Sequence, residues 1–219
     1  MSYLPVKDTL VIMTGGTIDA EAYPDPANPP KDATMLDHSM IPMTVAQMNP
    51  KYDQRCDYLV WRAKDSKHFS DKDMMDLAKI IRTSRARNII ITHGTDAMPE
   101  NSRTIRSLLA RPDKDLRVDA GRKEGLLELQ EGGYVRGVMP GFDKRVIFTG
   151  AMMPLANGPE SDAYKNLEYI FANMDGWKNG VRAVMHSKSF DVAGLEKDFT
   201  TYQFKGRVLP DGPAKAGRE

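Results

Sequence analysis

Thr9-Leu10-Val11-Ile12-Met13 runs directly into Thr14-Gly15-Gly16-Thr17-Ile18, and this join decides the fold. Five residues rich in β-branched and long apolar side chains, halted by two glycines, predict a buried strand that ends in a sharp turn. The glycines open backbone angles closed to other residues, and without a Cβ they let a ligand come close to main-chain N–H groups. Thr17 then stands at the mouth of the turn, ahead of a polar, proline-rich segment. Taken alone, such a turn is equally a phosphate cradle or a plain strand-to-helix connection.

A second stretch repeats the design. Asn88-Ile89-Ile90-Ile91 leads into Thr92-His93-Gly94-Thr95-Asp96, which puts another threonine, now beside an aspartate, just past a strand end. Ligands of open parallel α/β sheets bind outside the carboxyl ends of the strands, so the two threonine turns are expected to face one site. The plainer alternative is that Thr95 and Asp96 only cap the helix that follows.

Together these two turns resemble the asparaginase and glutaminase amidohydrolase family, whose signatures are a TGGTI-like and an HGTD-like motif. The resemblance continues through Lys144-Arg145-Val146-Ile147-Phe148-Thr149-Gly150-Ala151-Met152-Met153-Pro154 and through Ser161-Asp162-Ala163 with Asn166-Leu167. It covers about residues 8 to 206, the N-terminal domain of the family only, in the manner of short single-domain L-asparaginase-like proteins. The fold it implies is α/β and three-layer, with a mainly parallel sheet. Its implied roles are Thr17 as primary nucleophile, Tyr23 assisting from a lid, and Thr95, Asp96 and Lys197 as further catalytic residues. Substrate binding is implied for Gly16, Asp65, Ser66, Gly94 and Ala151, with Ser66 on the substrate's carboxylate. Lys67 stands where the family commonly has glutamine, a departure that bears on how an α-amino group would be recognised.

Composition narrows the function classes. At 219 residues, 41% apolar and 28% charged, the chain reads as an ordinary soluble globular protein. A net charge of +1 argues against nucleic acid or an anionic membrane as partner. Cys56 has no second cysteine to pair with, and neither a leader-type start nor an apolar run of about 18 residues is present, so a cytoplasmic protein is expected. With no Gly-x-Gly-x-x-Gly and no metal-ligand spacing among His38, His68, His93 and His186, neither cofactor nor metal is expected. His93 is expected to fix its turn.

The remaining elements follow from periodicity. Pro24, Pro26, Pro29 and Pro30 predict a stiff extended loop over about 19–49, either a surface connection or the lid. A strand is expected over 57–63. Ser70 is the expected N-cap of a helix to Thr83 with Met74, Leu77, Ala78 and Ile81 on its apolar face. A helix from about Pro99 to Leu109, a strand over 146–149, a helix from Asp162 to about Met174 and a last strand over 181–185 complete the pattern. An insertion of about thirty residues relative to the family, roughly 111–141, reads as a hairpin around Glu131-Gly132-Gly133 that serves as an oligomer contact or a lid. Arg103, Arg106, Arg111, Lys114, Arg117, Arg122 and Lys123 form either a solvated face or a surface for an acidic or phosphate-bearing partner. Residues 1–209 are expected to form the domain and 210–219 a tail.

Hydrolysis of a primary amide needs a nucleophile stronger than a resting hydroxyl, a base for its proton, donors for the oxyanion and an acid for the departing ammonia. Thr95, Asp96 and Lys197 supply these if they meet, with Lys197 as base and Asp96 orienting it. The expected function is release of ammonia from L-asparagine or a related small amide, by a homo-oligomer, dimer or tetramer. The alternatives are a non-catalytic amino-acid-binding module and an ammonia-supplying amidotransferase subunit.

Overall fold

A computed structural model describes residues 7–25, 28–30, 34–110 and 142–211. The expected insertion at about 111–141 and residues 212–219 of the expected tail lie outside the described residues.

Six strands form one sheet in the order β2-β1-β3-β4-β5-β6. These are β1 (Thr9–Met13), β2 (Cys56–Val60), β3 (Asn88–Thr92), β4 (Arg145–Thr149), β5 (Gly180–Met185) and β6 (Lys188–Asp191). The first five run parallel, and β6 pairs antiparallel with β5. All five residues of β3 are buried, as the continuous Asn-Ile-Ile-Ile-Thr run requires of a strand covered on both faces. The register is level at the carboxyl ends: Met13 pairs with both Val60 and Thr92, and Thr92 pairs with Thr149. The loops after four strands therefore leave from one rim.

Side chains alternate between two cores. Ile12, Ile89, Ile91, Val146 and Phe148 face α3 (Asp71–Thr83) and α4 (Met98–Leu109). Val11, Met13, Ile90, Ile147 and Val184 face α1 (Ile41–Met48) and α5 (Asp162–Asn173). The result is the expected three-layer α/β arrangement. The chain passes from β1 to β2 in one direction along the sheet and from β4 to β5 in the other, yet α1 and α5 cover the same face. These two crossovers are therefore of opposite hand, so the strong preference for one hand is broken once here. The consequence is that α5 and its preceding loop stand beside the segment that follows β1.

Helix α3 starts as expected: Ser70 accepts from the Asp73 amide while the Asp73 carboxylate accepts from the Ser70 amide, a complete capping box. Three expectations need correction. The 19–49 segment is not a loop throughout, because α1 occupies Ile41–Met48 with Pro42 in its first turn, where a proline is tolerated, and α2 (Pro50–Asp53) follows at once. Strand β2 stops at Val60 rather than Ala63, since Arg62 takes a positive φ of 48° and turns the chain. The strand over 180–185 is not the last. A two-residue turn at His186 and Ser187, both at φ 53°, leads into β6, and an antiparallel pair β7 (Glu196–Asp198) and β8 (Gln203–Lys205) follows.

Candidate active site

The loops after β1 and β3 emerge side by side because β1 and β3 are neighbours. This is also where chain direction along the sheet reverses, the place where open α/β sheets leave a crevice. Glycine sets how close the loops come. Gly16 has φ 87°, and a Cβ on it would lie 2.4 Å from the Gly94 nitrogen, so the two turns touch backbone to backbone. A Cβ on Gly15 would lie 2.8 Å from the Lys64 nitrogen, and one on Gly94 2.6 Å from the Ser66 hydroxyl oxygen. Three segments, the loops after β1, β2 and β3, thus meet at distances that only glycine permits.

The rim is braced from below by buried polar groups. The Thr14 hydroxyl donates to the Thr92 carbonyl at 2.7 Å and lies 3.1 Å from His93 Nδ1. On the other side of the ring, Asn101 Nδ2 sits 2.8 Å from Nε2 and also donates to the Ser66 carbonyl at 3.2 Å. Since Asn101 Nδ2 can only donate, Nε2 accepts and Nδ1 carries the proton, which points at Thr14. His93 therefore joins both threonine turns and the Ser66 turn. Burial pushes its pKa down to about 4, so the ring is neutral near pH 7.

Lys197 reaches this rim from β7, 102 residues away from Thr95 in sequence. Its Nζ donates to Thr95 Oγ1 at 2.8 Å and to Asp96 Oδ1 at 2.6 Å. The side chain is only 3% exposed, so the ammonium is out of bulk water and depends on these two partners. Asp96 does not cap α4. Ala97 holds that position without a side-chain bond, and the second Asp96 oxygen takes Lys67 Nζ at 2.6 Å. Burial raises the Asp96 pKa, but hydrogen bonds and charge from Lys197 and Lys67 outweigh it and hold the carboxyl below its ordinary value.

The other candidates are placed as follows. Thr17 opens a short 3₁₀ turn, Thr17–Asp19, and is half-buried. Tyr23 is buried, with its backbone clasped by Asn157, whose Oδ1 accepts from the Tyr23 amide at 2.9 Å and whose Nδ2 donates to the Tyr23 carbonyl at 3.1 Å. Among the described residues the Tyr23 hydroxyl has no hydrogen bond, so the Thr17–Tyr23 pairing is not formed here. Ser66 is buried, and its Oγ accepts the Ala97 amide at 3.4 Å. Asp65 accepts from the Lys67 amide at 2.9 Å through one oxygen, the capping bond of the Ser66–His68 turn, and its charge acts on the buried His93. Ala151 packs its methyl into the core shared with α5, which leaves only its backbone toward the rim. Among the described residues nothing accepts from the Gly94 and Thr95 amides.

Two positioning features were not visible in sequence. Arg103 of α4 donates to the Leu195 carbonyl at 2.7 Å, and Arg106 pairs with Asp191 at 2.8 Å. These arginines, expected on a free basic face, instead clamp the segment that delivers Lys197. Phe199 and Tyr202, exposed on the β7–β8 hairpin, bring their rings to 5.3 and 5.6 Å from Lys197 Nζ. Tyr202 also lines a cleft of about 280 Å³ with Met152, Met153, Asp162 and His186. Asp162 holds that wall by accepting from the Met152 and Met153 amides, and Asn166 donates to the Gly150 carbonyl. Among the described residues no group of three or more His, Cys, Asp or Glu could hold a metal ion, and no helix is long and apolar enough to cross a membrane.

Residues 8–115 match the family model described as "Asparaginase, N-terminal". No curated protein matches the chain. Among solved structures, a probable cytoplasmic L-asparaginase from Campylobacter jejuni is similar, with a TM-score of 0.60 and 22% identity over 86% of this chain and 49% of that one. L-asparaginase I from Vibrio cholerae has a TM-score of 0.62 at 19% identity, covering 94% of this chain and 53% of its own. The thermostable L-asparaginase from Thermococcus kodakarensis gives 0.62 at 19%, covering 93% and 52%. The fold is thus that of an asparaginase N-terminal domain, and the chain spans about half the length of these structures.

Proposed function

We propose, from the asparaginase-type N-terminal domain at residues 8–115, that this chain is an amidohydrolase that releases ammonia from L-asparagine or a related small amide through a threonine nucleophile. The observation that carries the reading is the Lys197 Nζ held between Thr95 Oγ1 and Asp96 Oδ1 at 2.8 and 2.6 Å. A binding module has no need of a hydroxyl joined to a desolvated lysine. Such a pair is what activates a hydroxyl or a water toward a carbonyl carbon.

In this reading Thr17 Oγ1 attacks the amide carbon, assisted by Tyr23 once the segment carrying it closes on the substrate. The Gly94 and Thr95 amides receive the oxyanion, and one such donor is worth roughly 10²–10³ in rate. Collapse breaks the C–N bond, the leaving nitrogen takes the proton lost by Thr17, and ammonia departs. Water then attacks the acyl ester and passes its proton through Thr95 to the Lys197–Asp96 pair, in which Asp96 holds Lys197 in line. Breaking the ester returns the proton to Thr17 and frees the acid. Gly16, Ser66 and the Ala151 backbone line the substrate's path. Residues 1–209 act as one domain, in a cytoplasmic homo-oligomer, dimer or tetramer, whose mass sedimentation equilibrium would measure.

The test is ammonia release by the full chain from L-asparagine, L-glutamine and simpler monoamides, alongside Thr17→Ala, Thr95→Ala and Lys197→Ala. Each substitution is expected to cut turnover by roughly 10²–10⁴, the contribution of a positioned nucleophile or base, with far-UV circular dichroism unchanged. Full activity in the Lys197→Ala protein would overturn the assignment of the base.

A further inference from the structure

The loops on the sheet rim follow the strand order. The Ser66 turn after β2, the threonine turns after β1 and β3, the Ala151-Met152 loop after β4 and the His186 turn after β5 therefore stand in a row. Space is unevenly divided along that row. At the Ser66 end the loops fill it: a Cβ on Gly94 would lie 2.6 Å from the Ser66 hydroxyl oxygen, and one on Gly16 2.4 Å from the Gly94 nitrogen. At the other end, the cleft of about 280 Å³ lies between the β4 loop and the β7–β8 hairpin, with Met152, Met153 and Tyr202 as its apolar lining. It begins beside the reacting groups. Gly150, two residues before Met152, is so close to Thr95 that a Cβ on it would lie 3.2 Å from the threonine methyl carbon, and the Tyr202 ring is 5.6 Å from Lys197 Nζ. The methionine wall is fixed in place, because the Asp162 carboxylate accepts from both the Met152 and Met153 amides at 2.9 and 3.0 Å.

We propose that this cleft is a leaving-group subsite, so that the substrate is a secondary amide whose nitrogen carries an aliphatic group about the size of one side chain. The inference rests on the threonine chemistry above and on the acyl end of the substrate lying at Ser66. With that end at Ser66 and the carbonyl carbon at the threonine turns, the amide nitrogen faces the β4 loop and its substituent enters the cleft. The volume lies just below the roughly 300–1,000 Å³ of ordinary small-molecule sites, which suits a single side-chain-sized group and not a cofactor. Methionines adapt to irregular aliphatic shapes, and the Tyr202 ring adds a further apolar surface. The chemistry balances as for a primary amide. Thr17 Oγ1 bonds to the carbonyl carbon, the C–N bond breaks, the nitrogen takes the proton lost by Thr17, and an amine departs where a primary amide yields ammonia. Water then hydrolyses the same acyl ester.

The experiment compares L-asparagine with N4-isobutyl-L-asparagine, which differ only in the group on the amide nitrogen. Each fully buried carbon is worth about fourfold in affinity, and a cleft covers only part of the group, so the isobutyl amide is expected to bind roughly tenfold more tightly. Calorimetric titration of full-chain Thr17→Ala measures binding without turnover, and the ratio of kcat/KM values in the unsubstituted protein gives the same comparison without that substitution. Met153→Ala, and Tyr202→Gly, in which glycine tolerates the positive φ of 54°, should each cut the advantage to threefold or less; Met153→Ala should leave L-asparagine binding unchanged. Isobutyl amide bound no more tightly than L-asparagine, an advantage that survives both substitutions, or no binding of either amide would each overturn the proposal. So would ammonia from L-asparagine with no isobutylamine from its derivative. A Met153-dependent advantage with neither ammonia nor amine released would leave the subsite standing and sink the hydrolase reading. Ammonia release with no isobutyl advantage would do the reverse.

Discussion

His93 shows how one side chain ties a site together. Its two nitrogens face Thr14 and Asn101 at 3.1 and 2.8 Å, so the ring must stay neutral: a second proton would point at the Asn101 donor. Burial lowers its pKa from 6.5 to about 4. The unfolded chain therefore takes up a proton on His93 below about pH 6.5 that the folded chain refuses until about pH 4. Stability from this residue is complete above that window and is lost as pH falls through it, by an amount on the order of 3 kcal/mol. Urea midpoints from pH 7 to pH 4.5 should fall more steeply for the parent protein than for His93→Asn; parallel curves would place the effect elsewhere. That His93 braces the turn was readable from its place in Thr92-His93-Gly94. Its partners were not, because Thr14 and Asn101 lie on other elements and nothing in local sequence couples them.

At the scale of elements, α4 has two tasks. Its start follows the Thr95-Asp96 turn directly, and its middle holds Arg103 against the Leu195 carbonyl, two residues before Lys197. The helix thereby sets the distance between the base and its threonine. Arg103→Met keeps the aliphatic stem and removes the donor; kcat for ammonia release should drop roughly tenfold, equivalent to about 1.4 kcal/mol, with KM nearly unchanged. Arg103→Lys should recover part of it. A change in Tm with no change in kcat would mean that the bond serves packing alone. The period of α3 and α4 was plain in sequence because a buried stripe against a sheet demands it. The β5–β6 turn was hidden, since His186-Ser187 takes left-handed angles without the Asn-Gly that usually marks them.

For the whole molecule, the sheet is a partition with a core on each face. Trp61 packs against the α3–α4 side, stacked on Phe69, and Trp177 is buried on the α1–α5 side. Because every strand of the centre contributes to both cores, the two faces should unfold together in one cooperative transition. Single-tryptophan variants, Trp61→Phe and Trp177→Phe, should give the same urea midpoint by fluorescence once each is corrected for its own stability by circular dichroism. Separate transitions within one protein would show that the layers come apart independently. The amino-acid sequence by itself determined the strands β1, β3 and β4, the helices that cover them and the two threonine turns, because strand period, helix period and glycine turns are local properties of the chain. Tertiary structure alone decided which charges meet. Lys197 reaches Thr95 across 102 positions, and Lys67 and Lys197 share one carboxylate. Such pairings depend on loop paths over a common sheet rim, and no short stretch of sequence encodes a distance between two loops.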